Sequence, residues 1–407
     1  MMHYPRISLY ALMLATASIP LYIHLPRFAA VQLEISLGAL GGVLLLLRVM
    51  DFAQDPLLGW LTDRWPGAQP VLAVIASVGL AVGFPLLFSL GPGGVWPMIA
   101  LLVLIFTCYS LGAILIYGRS EVLARNAEPG ELLTLATWRE AGQLTGVIIA
   151  AATPSVLLLA GAGDQAYPAF GLLLAGIALA ATWFSHPVWR RIPAPGIGLS
   201  LPRLSSSGAL RLLCLALLNA LPVALTSTLF LFFAEDHLGL SGQAGLFLLV
   251  FFLSAGLGVP FWALVSKRLG NRQTLIVAMS LAVVTFAGAA FVAPQDATGF
   301  LLICIGSGFA TGADILILPL MFSRALIGAG LNASFAFGFW SLAGKLALAL
   351  SAATALPLLE VAGFIPGAPL TPAARGALIT AYAVMPCILK LFALGFTLTL
   401  PKEEPQP

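Results

Sequence analysis

The segment Pro56-Leu-Leu-Gly-Trp-Leu-Thr-Asp-Arg-Trp65 is matched by Pro260-Phe-Trp-Ala-Leu-Val-Ser-Lys-Arg-Leu269, 204 residues further on. In both, a proline-led apolar stretch gives way to polar residues, and Arg64 stands opposite Arg268. The offset is about half of the 407-residue chain, so the repeat predicts two like halves. Two halves in the same orientation form an architecture in which a pair of helical bundles rocks about a site at the membrane midplane.

Working outward, the composition puts both halves in lipid. Hydrophobic residues make up 60% of the chain and charged ones 9%, with a mean hydropathy of +1.02. A soluble chain carries about a quarter charged residues, so a water-soluble enzyme, a nucleic-acid binder and a secreted domain are excluded. The net charge of +3 is too small for a phosphate-binding surface. Cys108, Cys214, Cys304 and Cys387 are scattered singly, which predicts neither a disulfide framework nor a zinc site. His3, His24, His186 and His237 are likewise dispersed, and there is no P-loop, so no metal and no cofactor are expected beyond a coupling ion.

A helix crosses the hydrocarbon core in about 20 apolar residues. Such runs fall at 7–29, 36–60, 70–90, 96–118, 137–160, 166–187, 209–233, 242–266, 273–293, 299–322, 333–357 and 374–400. The predicted fold class is therefore an all-α polytopic membrane protein of 12 transmembrane helices in two pseudo-symmetric halves. The runs are continuous rather than alternating, which excludes a β-barrel. No cleaved signal peptide is expected, because the first run is too long and no small-residue cleavage site follows it. With a cytoplasmic N-terminus the inner segments hold fourteen Lys and Arg, and the outer loops only Arg27 and Arg375. This asymmetry places both termini in the cytoplasm. The expected organisation is a first half at 1–187, a cytoplasmic loop at 188–208, a second half at 209–400 and a tail at 401–407.

Leaving aside the ends of the runs, six charges remain inside them: Arg48, Asp51, Asp55, Asp314, Lys345 and Lys390. A charge in the membrane costs several kcal/mol, roughly, and needs a partner or a purpose. Arg48, Asp51 and Asp55 stack on one helix face at steps of three and four. Arg48 neutralises one carboxylate, and the second must take a proton, a metal ion or a lysine. The pair therefore reads as a switch for H+ or Na+, against the alternative of a static Arg–Asp clamp. Pro56 has no N–H for the Phe52 carbonyl, which leaves that oxygen available as a ligand. The second half has Ala255 and Val259 at the equivalent positions, so the ion site belongs to the first half.

Lys345 follows Gly344 in mid-span and reads as a counter-ion for the acid pair or as a solute contact. Lys390, nearer the inner end of its run, is expected to snorkel. Asp314 lies in a glycine-rich run five residues before Pro319, where it either lines a cavity or bonds the opened backbone of its own helix. Arg139 and Glu140 open the fifth run and alone read as an interfacial pair. In the repeated loops, Asp63, Arg64, Lys267, Arg268 and Arg272 are expected to hold helix ends and to change partners as the halves move.

The stretch Arg48-Val-Met-Asp-Phe-Ala-Gln-Asp-Pro-Leu-Leu-Gly59, with its two acids four apart before proline and glycine, resembles the second-helix signature of the glycoside–pentoside–hexuronide:cation symporters. These form the melibiose-permease-like branch of the major facilitator superfamily. The fifth-span arginine matches Arg139, the Ala-Asp of the tenth span Ala313-Asp314, and the eleventh-span lysine Lys345. The resemblance implies that Asp51 and Asp55 bind the coupling cation, with Gln54 where the family has asparagine. It places Lys345 and Arg48 beside them as counter-ions and turns Arg139 to the solute. Tyr109, Asp314 and Trp340 complete the expected solute contacts. The sugar-binding acids of the first and fourth helices are missing, since the fourth run reads Ile105-Phe-Thr-Cys-Tyr-Ser-Leu111. A less hydroxyl-rich, amphiphilic or anionic solute therefore becomes the expectation.

The reading that follows is a monomeric, multi-pass carrier of the inner (plasma) membrane, not an enzyme. It couples Na+ or H+ to symport of a small solute, sugar-like or an organic anion, by alternating access. Its partners are the solute, a monovalent cation and the lipid bilayer, with no nucleic acid. The alternatives are a translocator of lysolipids or drug-like amphiphiles, and a non-transporting assembly factor on the same fold.

Overall fold

The computed structural model describes residues 3–21, 25, 28–29, 32–35, 37–92, 94–124, 128–159, 161–191, 201–240, 243–365 and 369–401. Among the described residues, twelve long helices carry the chain. They are α1 (His3–Ile19), α2 (Leu37–Arg64), α3 (Gln69–Phe88), α4 (Val95–Gly118), α5 (Pro129–Leu159) and α6 (Ala166–Trp189). The second set is α7 (Ala209–His237), α8 (Ala244–Leu269), α9 (Asn271–Ala287), α10 (Ala297–Gly328), α11 (Ala333–Val361) and α12 (Pro372–Leu398). Among the described residues, nine helices are long and apolar enough to cross a membrane.

Local chemistry explains where the helices start and what they tolerate. Pro129 opens α5, where its missing N–H costs nothing, and Thr371 caps α12 by accepting from the Ala374 N–H. Hydroxyls inside the spans donate back to carbonyls one turn earlier, as Ser77 does to Ala73 and Ser307 to Ile303. Such bonds satisfy a polar group where no water reaches. Trp96 and Trp183 are each 81% exposed, the signature of aromatic side chains directed at lipid.

The chain forms two compact units. The first is Met1–Arg203 with Ser323–Leu342; the second is Leu204–Phe322 with Ala343–Pro407. In the first unit, α1 packs along α5 and α3 along α6. Gly142 and Gly146 make the α1–α5 approach possible, because a Cβ at either would strike the backbone of α1 at Ser8 or Leu12. In the second unit, α12 packs on α7 and α9. There α7 ends in a π-helical turn at Phe232–His237 and α12 contains another at Thr380–Val384. The two turns meet where Phe233 stacks on Tyr382 with ring centroids 4.0 Å apart. The tenth span extends beyond its expected bounds, and the fifth starts eight residues early, at 129 rather than 137.

Candidate functional site

Residues of the first unit gather around α2. Asp55 is fully buried, and the Ser341 hydroxyl donates to its Oδ2 at 2.5 Å. Ser341 reaches it because α11 starts against α2. A Cβ at Gly338 would stand 2.6 Å from the Asp55 carbonyl oxygen, so only glycine allows this approach. At the end of α2, Asp63 accepts from the backbone N–H groups of Ser334 and Phe335, at 3.3 and 2.8 Å. A carboxylate on the first N–H groups of a helix is an N-terminal cap and sits at the positive end of the helix dipole. Arg64 is exposed. The side chains of Arg48 and Asp51 lie outside the described residues.

Gln54 meets Thr107 of α4, the two side-chain oxygens lying 3.2 Å apart, while Gln54 Nε2 is buried without a partner. The Thr107 hydroxyl also donates to the Val103 carbonyl at 2.7 Å. A hydroxyl has one hydrogen. With the amide turned end for end, Nε2 donates to Thr107 and the carbonyl oxygen takes the buried, open position. That orientation gives the Thr107 hydroxyl a donor and leaves a buried amide oxygen open as an acceptor.

The second gathering in this unit centres on Tyr117 of α4. Arg139 is 2% exposed and Glu140 fully buried, with Arg139 Nε 3.0 Å from Glu140 Oε1. The Arg139 guanidinium lies 3.8 Å over the Tyr117 ring, whose other contact is Phe337 at 5.5 Å. The Tyr117 hydroxyl donates to Glu140 Oε1 at 3.1 Å and accepts from Gln143 Nε2 at 3.0 Å. Arg139 and Glu140 are therefore buried inside the first unit. Because α5 starts at Pro129, they lie about three turns inside it, given 3.6 residues per turn. The half-buried Tyr109 is also on α4, and Trp340 packs its ring 6.1 Å from that of Phe337.

The second unit holds a separate polar centre. Lys390 of α12 bonds Asp314 of α10 in a short ion pair and Asn219 of α7 at 2.6 Å. Both charged residues are buried. Lys390 does not snorkel, because two acceptors from neighbouring helices meet it inside the bundle. Asp314, in turn, bonds neither its own backbone nor open space; its Oδ2 is held by Lys390 and its Oδ1 is buried without a partner. Lys345, on the part of α11 that clusters with this unit, is buried as well. Lys267 and Arg268 are exposed, whereas Arg272 is buried and donates to the Thr397 and Leu398 carbonyls at the end of α12. An analogous cap closes α6. Arg119 donates to the Trp189 and Arg191 carbonyls from over the Trp189 ring, and burial pulls its guanidinium down to about 10.

Sequence reasoning missed Ser341, Thr107, Tyr117, Gln143 and Asn219. Ser341 lies one turn before Lys345 and so on the same face of α11, a spacing that was available in the sequence. Asn219 was available too, as an amide inside an apolar run three residues before Pro222. Among the described residues, no three His, Cys, Asp or Glu side chains come together to hold a metal ion.

Long apolar helices in two units, each with an ionic centre buried in its interior, define a multi-pass membrane transporter rather than an enzyme. The chain belongs to the MFS/sugar transport protein family, whose model matches residues 7–403. Among curated proteins no sequence match was found. The fold is that of solved major facilitator transporters. It is similar to the E. coli fucose:proton symporter FucP at 15% identity and a TM-score of 0.67, covering 96% of this chain and 98% of that one. Similar likenesses hold for a bacterial homologue of the iron transporter ferroportin (16% identity, 97% and 98% covered, TM-score 0.67). The human organic anion transporter MFSD10 is similar too, at 17% identity with 97% and 98% covered and a TM-score of 0.64.

Proposed function

We propose that the chain is a cation-coupled symporter of the melibiose-permease-like branch, carrying a small solute, sugar-like or an organic anion, by alternating access. It works as a monomer in the inner membrane with both termini cytoplasmic. The observation that carries this reading is Asp55: a fully buried carboxylate that accepts from Ser341 of α11 and follows Gln54, which meets Thr107 of α4. Carboxylate, amide and hydroxyl oxygens are the ligands that Na+ prefers, and the same carboxylate can take a proton instead. Names of proteins with the same fold agree in kind, one a fucose:proton symporter and another an organic anion transporter.

Cation binding neutralises Asp55 together with Asp51. Ser341 lies at the end of the α11 segment that clusters with the first unit, and Lys345 lies four residues beyond it in the second. A charge change at Asp55 thus acts on Ser341, its hydrogen-bond partner on α11. The Asp63 cap holds the start of the same helix and acts as the latch of the inner gate. Asp55→Asn should insert normally and lose gradient-driven uptake in proteoliposomes by two orders of magnitude. Accumulation at the unaltered level would refute the coupling role.

A further inference from the structure

Glu140 has no task in this coupling scheme, yet it is as deeply buried as Asp55. Its Oε1 takes both available donors, Arg139 Nε and the Tyr117 hydroxyl. Its Oε2 is buried without a partner. An ionised carboxylate with one bare oxygen in a low-dielectric interior is poorly solvated, and a proton is the smallest group that completes it. Arg139 is bound through Nε to a single oxygen rather than through a two-pronged clamp, so the pair is open to exchange.

We propose that Arg139 and Glu140 form a proton-linked binding site for the carboxylate of an organic anion. In the empty site the guanidinium is neutralised by Glu140. A proton on Glu140 releases Arg139, which then pairs with the carboxylate of the solute. Arg139 carries one positive charge throughout, and one negative charge, first on Glu140 and then on the solute, balances it. The buried site stays neutral before and after loading. A neutral sugar offers no such balance: protonating Glu140 for it would strand a bare guanidinium inside the protein. Tyr117 serves both states, since its ring keeps the guanidinium in place and its hydroxyl follows either carboxyl form.

Other groups do not compete for this role among the described residues. Arg139 on α5 and Tyr117 on α4 are the charged or titratable side chains that act on Glu140. On α1, Ser8 meets α5 at Gly142 through its backbone, and Tyr4 is turned to Glu131 near the start of α5. From the start of α11, Phe337 presents a ring to Tyr117. The inference rests on the transporter reading and adds to it the solute's charge and the proton as its companion.

The test is binding to the purified full-length protein in nanodiscs, between pH 5.5 and 8, without any gradient. Acetate, lactate, gluconate and glucuronate are the probes, set against glycerol and glucose. At least one acid should bind about tenfold more tightly for each unit of falling pH while the neutral probes show no such slope, as linkage to one proton requires. In Glu140→Gln the same acid should bind with a flat pH profile, at the tightest wild-type affinity. An infrared band of a protonated carboxyl should appear on loading the wild type and be missing from this variant. The doubly neutral Arg139→Gln/Glu140→Gln protein keeps the side-chain volumes and should fold yet bind no acid. An unchanged pH slope in Glu140→Gln, or no pH-linked binding of any acid by the wild type, would overturn the proposal. Loss of the uptake role of Asp55 would not alter these binding curves, so the two readings fail separately.

Discussion

The two units bury their charges in opposite ways. In the first, Arg139 and Glu140 are consecutive residues of one helix, and their pairing joins no two helices by itself. In the second, Lys390, Asp314 and Asn219 come from α12, α10 and α7, so one ammonium ties three helices together. A pair within one helix can open without moving the backbone. A centre spanning three helices cannot change without disturbing their packing. The first arrangement is suited to exchanging partners and the second to holding a bundle together, although both are buried ion pairs of similar exposure.

The strongest way to break this comparison is to remove the ammonium. Lys390→Met leaves Asp314 charged and unanswered inside the second unit, which should cost about 3–5 kcal/mol. Thermal unfolding in detergent should show a steep loss of melting temperature. Neutralising both charges in Asp314→Asn/Lys390→Met should recover most of that loss, because the stranded charge is gone. If the double variant stays as unstable as the single one, the triad acts by packing rather than by charge.

Removing the acid of the other pair should cost less. Glu140→Gln leaves the Arg139 charge uncompensated but keeps an oxygen for it and for the Tyr117 hydroxyl, so the expected destabilisation is about 2–3 kcal/mol. The guanidinium also keeps its place over the Tyr117 ring. Melting measured beside Lys390→Met decides the matter. A drop as large as that of the lysine variant would make the first pair a structural tie as well.

These differences show what the sequence could and could not tell. Apolar runs predicted where the long helices lie, because lipid forces every backbone group to be satisfied within a helix. They misplaced the start of α5, since the run was read from its first unbroken apolar stretch at 137 and the helix begins at the Glu128-Pro129 signal. That shift of two turns places Arg139 and Glu140 well inside α5 rather than at its first turn. Asp55 was legible because an acid in an apolar run is costly wherever it falls. Its neighbour Ser341 was not, for 286 residues separate them and a serine costs little alone. Lys390 was read by depth along its own helix, a measure blind to acceptors on α7 and α10. Arg48 and Asp51, the most legible part of the motif, have side chains outside the described residues.

The finest cut between the two pairs lies in Tyr117. It has a ring facing Arg139 and a hydroxyl facing Glu140, so it contacts both ends of the exchangeable pair. Tyr117→Phe preserves the ring and its stacking on Phe337 while deleting one hydrogen bond to a carboxylate and one from Gln143. Stability should fall by about 1–3 kcal/mol, for two buried hydrogen bonds, one of them to a carboxylate. The informative effect is on acid binding. With its phenolic donor gone, ionised Glu140 loses solvation that the protonated form needs less, so it takes its proton at higher pH. The pH profile of acid binding should then move upward while its slope is kept. A pair that only ties the structure together has no such profile to move; melting would fall by the same small amount and binding would stay as it was.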